Sequence, residues 1–143
     1  MAKIEGTYIK FPVLDKDSRF LEYVYRPHVE LRINYKRGKI SPPLEMLLDT
    51  GADRCLFPAQ IGNYFVGNIR KKGKKFVTTG IGDYQILTYR ISGFKFFVGP
   101  YEFETQIDFS EECKYPLLGG IGFFDHFKRV TFCKKDEKVE LEY

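Results

Sequence analysis

Apolar and polar residues alternate over short stretches of this chain, with breaks at glycine, proline and clustered charge. Residues 20–25 (Phe-Leu-Glu-Tyr-Val-Tyr) and 29–33 (Val-Glu-Leu-Arg-Ile) follow the two-residue period of half-buried strands. Pro27 lies between them and, having no N–H, predicts a break in pairing. Residues 36–43 predict a basic, glycine-containing turn. After Pro58, residues 59–65 predict a short helix, weakened by Gly62 and Asn63. Two β-rich runs, 76–79 and 84–89, flank Gly80-Ile81-Gly82-Asp83 and predict a hairpin with a glycine-rich tip. Further strands are expected at 94–98 and 101–107, a short helix at 122–127, and a final hairpin from 129–133 and 139–143. The sum is an all-β domain with one or two short helices, closed or nearly closed into a barrel.

The chain has 143 residues, enough for one domain with a real core. Hydrophobic residues make up 43% and aromatics 17%, which excludes a disordered chain. The net charge of +4 is modest, and part of it sits in the run Arg70-Lys71-Lys72-Gly73-Lys74-Lys75. The aromatics are not interleaved with these basic residues, so the run reads as a solvated turn rather than a nucleic-acid platform. The cysteines Cys55, Cys113 and Cys133 are odd in number and include no C-x-x-C pair. Reduced thiols in a cytoplasmic protein are expected from them. With only His28 and His126 in support, no metal site is expected. There is no leader-like apolar segment at the N-terminus and no run of membrane-spanning length, so no membrane partner is expected.

Chemistry concentrates in Leu47-Leu48-Asp49-Thr50-Gly51-Ala52-Asp53. Two apolar residues run into an aspartate, which predicts a strand delivering a carboxylate to a tight turn. Gly51 permits close backbone approach there, and Thr50 brings a hydroxyl. Asp-Thr-Gly occurs once in the chain. Two further segments follow in order: Thr79-Gly80-Ile81-Gly82 and Pro116-Leu117-Leu118-Gly119.

In these three segments the chain resembles the single-domain, retroviral-type retropepsin-like aspartic proteases that also occur in bacteria and archaea. The resemblance runs from about Arg26 to the C-terminus. Residues 1–18 fit it least and form an arm or an extra strand, leaving 19–143 as the protease domain. The fold it implies is the closed acid-protease barrel of one pepsin-like half, with a flap hairpin. It implies Asp49 as the catalytic residue, supported in its loop by Thr50, Gly51 and Ala52. Asp53, the flap residues Gly80, Ile81 and Gly82, and Leu117, Leu118 and Gly119 are implied around substrate. Thr50 would lock two catalytic loops together across a dimer. Two-lobed relatives carry a hydroxyl residue where this chain has Ala52, so the carboxylate pair here lacks a donor and should titrate higher. The viral members place an arginine after the motif's glycine, paired with the second aspartate; Gly120 stands there in this chain. Asp53 is thereby left to Arg54, Arg129 or a second subunit.

One carboxylate cannot perform two-carboxylate water chemistry. The expected function is therefore an aspartic endopeptidase acting as a homodimer on an extended peptide or protein, with no cofactor. The alternative is a dimerisation or peptide-binding module of the same fold with little or no turnover. A Cys–His protease is a weaker rival because neither histidine has a nucleophile context, and a basic nucleic-acid-binding domain because the aromatics are not interleaved with the basic run. His28 reads as a turn or strand residue.

Overall fold

The computed structural model describes residues 2–79 and 84–143. It is mostly β, with ten strands: β1 (Lys3–Leu14), β2 (Phe20–Tyr35), β3 (Leu44–Leu48), β4 (Leu56–Pro58), β5 (Lys74–Thr79), β6 (Gln85–Val98), β7 (Tyr101–Ser110), β8 (Leu117–Leu118), β9 (Arg129–Cys133) and β10 (Lys138–Glu142). Two helices, α1 (Ala59–Val66) and α2 (Ile69–Lys72), lie between β4 and β5. The sheet order is β5-β6-β7-β4-β8-β3-β2-β1-β10-β9, and β2 additionally pairs with β6.

Side-chain alternation places one face of each long strand inward. Along β2, Val29, Leu31 and Ile33 are fully buried, while Glu30 and Arg32 face out. They meet Phe94 and Phe96 from β6, Phe103, Ile107 and Phe109 from β7, and Phe57 from β4. The core is aromatic, with Phe57 stacked on Phe96 and edge-on to Phe109, an arrangement that ring quadrupoles favour. Against this core Gly62 of α1 has no room for a side chain, because a Cβ would come within 2.6 Å of Ile69 and 2.7 Å of Phe109. The glycine that weakens helix propensity is what allows the helix to dock.

Four expectations change. The strands around Pro27 are one continuous strand, β2, since Pro27 pairs with Tyr8. Tyr8 sends its N–H to Glu137 O, away from β2, so this is a pair that exchanges no hydrogen bonds. The missing proline N–H falls on the open side, where β3 pairs only from His28 onward. Residues 85–98 also form one strand, with a register shift between Ser92 and Phe94 and Gly93 at φ +97, so a glycine bulge bends the strand without ending it. The helix expected at 122–127 shrinks to a 3-10 turn at Phe124–His126. Phe123, Phe124 and Phe127 pack inward. The basic run is divided between α2 and the start of β5, with Arg70 bonded to Glu111. Residues 3–14 pair with both β2 and β10.

His28 is fully buried behind β3, stacked on Phe11. Its Nδ1 lies 2.8 Å from Arg26 O and must donate to it, so Nε2, 3.1 Å away, accepts from the Tyr115 hydroxyl. Burial pulls the imidazole below its usual range, outweighing the Arg26 carbonyl and the Glu45 charge, which favour the proton. The unfolded chain therefore binds this proton more readily. The stabilising contribution is complete above the unfolded value of about 6.5 and is lost as pH falls below it. We predict that the urea midpoint falls between about pH 7 and pH 5 and that His28→Leu flattens this dependence. Equal slopes in the two proteins would contradict it.

Candidate active site

β3 carries the chain to Asp49 through a parallel pairing with β8, Leu47 opposite Leu117 and Leu48 opposite Leu118. The Asp49 N–H continues that ladder to Leu118 O at 3.0 Å. The chain then turns back, with Ala52 N–H on Asp49 O at 3.1 Å. Gly51 N–H donates to Asp49 Oδ1 at 3.0 Å. This bond fixes the carboxylate's orientation, since one oxygen is held by its own loop. Asp49 is half-buried, while Thr50 and Gly51 are exposed. A Cβ on Gly51 would lie 3.3 Å from Asp49 Oδ1, which is tight but not prohibitive.

The segment after β8 crosses directly beneath this turn. Gly120 N–H bonds Ala52 O at 2.9 Å, and Ile121 N–H bonds Asp53 O at 2.7 Å. Gly119 lies so close that a Cβ would collide with Arg54 O and come within 2.7 Å of Ala52 O. Leu118 is fully buried beneath the loop, and Leu117 is half-buried beside it. At Gly120 there is room for a side chain, because a Cβ would find its nearest neighbour, Asp53 O, at 3.5 Å. Of the partners expected for Asp53, Arg54 bonds Gln106 and Arg129 faces Glu142. Asp53 is exposed and makes no ion pair among the described residues.

A cavity of about 370 Å³ opens between the turn and β5, lined by residues 51–56 and 77–79 with Arg90, Asp108 and Leu117. β5 and β6 pair antiparallel up to Thr79 opposite Gln85. The expected tip residues Gly80, Ile81 and Gly82 lie outside the described residues. The structure thus gathers Gly51, Ala52, Asp53 and Leu117 around one cavity, with Asp49 beginning the same turn.

Sequence reasoning missed Arg90 and Asp108. Arg90 Nε donates to Asp108 Oδ1 at 2.8 Å and Nη2 to Oδ2 at 3.2 Å, with the two side chains 19% and 5% exposed. The guanidinium lies over the Phe76 ring, 3.9 Å from its centroid. Asp108 stands opposite Leu56 of β4 and Arg90 of β6, so the pair joins β6 to β7 beside β4. The available signal was a charged residue inside the apolar run Ile107-Asp108-Phe109, which demands a partner when buried.

Cys55 is buried behind the turn, and burial pushes its thiol up to about 12. Burial of this kind opposes formation of the thiolate that a nucleophilic role requires. Among the described residues no three His, Cys, Asp or Glu side chains assemble as a metal site. No helix among them is long and apolar enough to cross a membrane.

A retropepsin-like aspartic protease from Rickettsia conorii is similar over 99% of this chain and 99% of its own, at TM-score 0.60 and 14% identity. The fold is retropepsin-like. At that identity the likeness speaks to architecture alone. The protease of EIAV, complexed with the inhibitor HBY-793, is similar over 66% of this chain and 81% of its own, with 25% identity and TM-score 0.47. No protein-family model and no curated protein sequence matches the chain.

Substitutions at Gly119 and at the Arg90–Asp108 pair test the packing of this site. Gly119→Ala should cost about 3 kcal/mol or more, because its contacts are backbone carbonyls that cannot rotate away. Arg90→Met should cost roughly 3–5 kcal/mol by stranding the Asp108 carboxylate, whereas Arg90→Met with Asp108→Leu should recover most of it. Chemical denaturation measures both. Equal costs for the single and double variants would contradict the role given to the pair.

Proposed function

We propose that the protein is an aspartic endopeptidase that acts as a homodimer, with Asp49 from each chain forming the catalytic pair. The observation that carries this reading is the Asp49 carboxylate, held by Gly51 N–H in a turn beside an open cavity within a retropepsin-like fold. The pairings from β6 through β7, β4, β8, β3 and β2 back to β6 support the closed barrel of one pepsin-like half. In the proposed dimer the two carboxylates lie about 3 Å apart and share one proton, since both cannot ionise at that distance. The ionised partner takes a proton from a water, which attacks the scissile carbonyl. The protonated partner donates toward the carbonyl oxygen. The two-fold axis makes the roles interchangeable between chains.

Thr50, exposed at the turn, serves in this reading to bond across the dimer axis. Ala52 leaves the pair without an added side-chain donor. Substrate lies extended along the β5–β6 hairpin, which acts as the flap, and pairs its backbone as an added strand. Leu117 borders its binding surface. Asp53, open to solvent, is free to meet a group from substrate or from the second subunit. No metal or organic cofactor enters this chemistry. Residues 19–143 constitute the protease domain, with β1 as an added strand, and we place the protein in the cytoplasm.

One observation favours the alternative, a peptide-binding module with little turnover. The viral enzymes knit their dimer with the termini, whereas β1 and β10 here pair with each other inside one chain, and β10 also with β9. A dimer built otherwise is weaker in this view, and dilute protein would be inactive.

The test is cleavage of a diverse peptide library at high protein concentration between about pH 4 and pH 7. Wild-type protein should cleave, a statine-type transition-state mimic should block it, and Asp49→Asn should lose at least about a thousandfold in rate. With Ala52 in place the optimum should be mildly acidic to near neutral. A maximum below about pH 3, where pepsin-type pairs operate, would contradict the role given to Ala52. Absence of cleavage by a sample shown to be dimeric would contradict the hydrolase reading.

A further inference from the structure

The cavity beside the Asp49 turn carries charge that peptide hydrolysis does not use. Four charged side chains line it: Asp53, Arg54, Arg90 and Asp108. Asp108 is fully engaged, since each of its oxygens accepts from Arg90. Arg54 has no carboxylate partner among the described residues. Its Nη1 donates to the neutral Gln106 Oε1 at 3.2 Å, and Gln106 Nε2 in turn donates to Ser92 Oγ at 3.2 Å. Those bonds hold the Arg54 guanidinium in place without cancelling its charge. It is half-buried, whereas Asp53, the opposing charge, is exposed and screened by water.

Arg90 supplies a second donor. It spends two of its five N–H groups on Asp108, and Phe76 fixes the plane of its guanidinium. Among the described residues no side-chain nitrogen is buried without a partner. Nη1 of Arg90 makes no bond among them, and Arg90 lines the cavity. Leu56, Val77 and Leu117 add apolar surface to the lining, beside Thr78 and Thr79.

We propose that this cavity receives an acidic side chain of the substrate, its carboxylate held by Arg54 and the free Nη1 of Arg90. The preferred substrate is then a peptide with glutamate or aspartate close to the scissile bond. This rests on the endopeptidase reading, which brings an extended peptide past the cavity.

Binding and turnover separate the two claims. Asp49→Asn protein would be titrated with labelled peptides in which glutamate, glutamine or valine occupies each position in turn. At one position glutamate should bind about tenfold tighter than glutamine, or roughly 1.4 kcal/mol, and the gap should shrink with added salt. Arg54→Gln in the same background should abolish the gap, and Arg54→Lys should keep part of it, with unchanged thermal midpoints showing that both remain folded. Equal binding of glutamate and glutamine peptides, a preference that survives Arg54→Gln, or no peptide binding would overturn the proposal. Wild-type cleavage of the same peptides reads the endopeptidase claim by itself. Turnover without an acidic preference defeats only the cavity assignment, while acidic-selective binding without turnover defeats only the hydrolase.

Discussion

Everything at the candidate site depends on the parallel seam between β3 and β8. Leu47 and Leu48 lie against Leu117 and Leu118, and the ladder ends on Asp49 N–H with Leu118 O. Parallel neighbours cannot be joined by a tight turn, so the chain between them must travel out through the helices and the β5–β6 hairpin and return. That excursion supplies the other walls of the cavity. On return, the chain passes close enough under the aspartate's turn for two backbone bonds, from Gly120 and Ile121, to hold it. Only a residue without a side chain fits at the crossing, which is the place of Gly119.

Two buried polar arrangements brace this seam from opposite sides. Behind β3, the His28 ring bridges Arg26 O and the Tyr115 hydroxyl, joining β2 to the segment that enters β8. Beyond β4, the Arg90–Asp108 pair joins β6 to β7 beside the turn. Each is satisfied internally, and each would be costly if half of it were removed.

The local features were legible in the sequence because their causes are local. Asp-Thr-Gly after two leucines announced a strand and a turn. The β-rich runs around residues 80–83 announced the paired strands β5 and β6. What was not legible depended on distant partners. Pro27 reads as a break until Tyr8 is known to face it in a pair that exchanges no hydrogen bonds. The runs 84–89 and 94–98 read as separate strands until β7 is seen to pair along both and absorb the bulge at Gly93. Arg90 and Asp108 lie far from the motif in sequence, and only the β6–β7 register makes them a pair. The helix expected at 122–127 is a 3-10 turn instead, because Phe123, Phe124 and Phe127 reach the core from that tighter turn as well.

The central claim is that each catalytic pair takes one aspartate from each of two chains. Mixing tests it directly: Asp49→Asn protomer is added to a fixed amount of wild-type protein at a concentration where both are dimeric, and the subunits are allowed to exchange. Random pairing with an equal amount of variant should reduce peptide cleavage to about half, and a large excess should extinguish it. Cleavage that stays constant while mixed dimers form would contradict a shared active site.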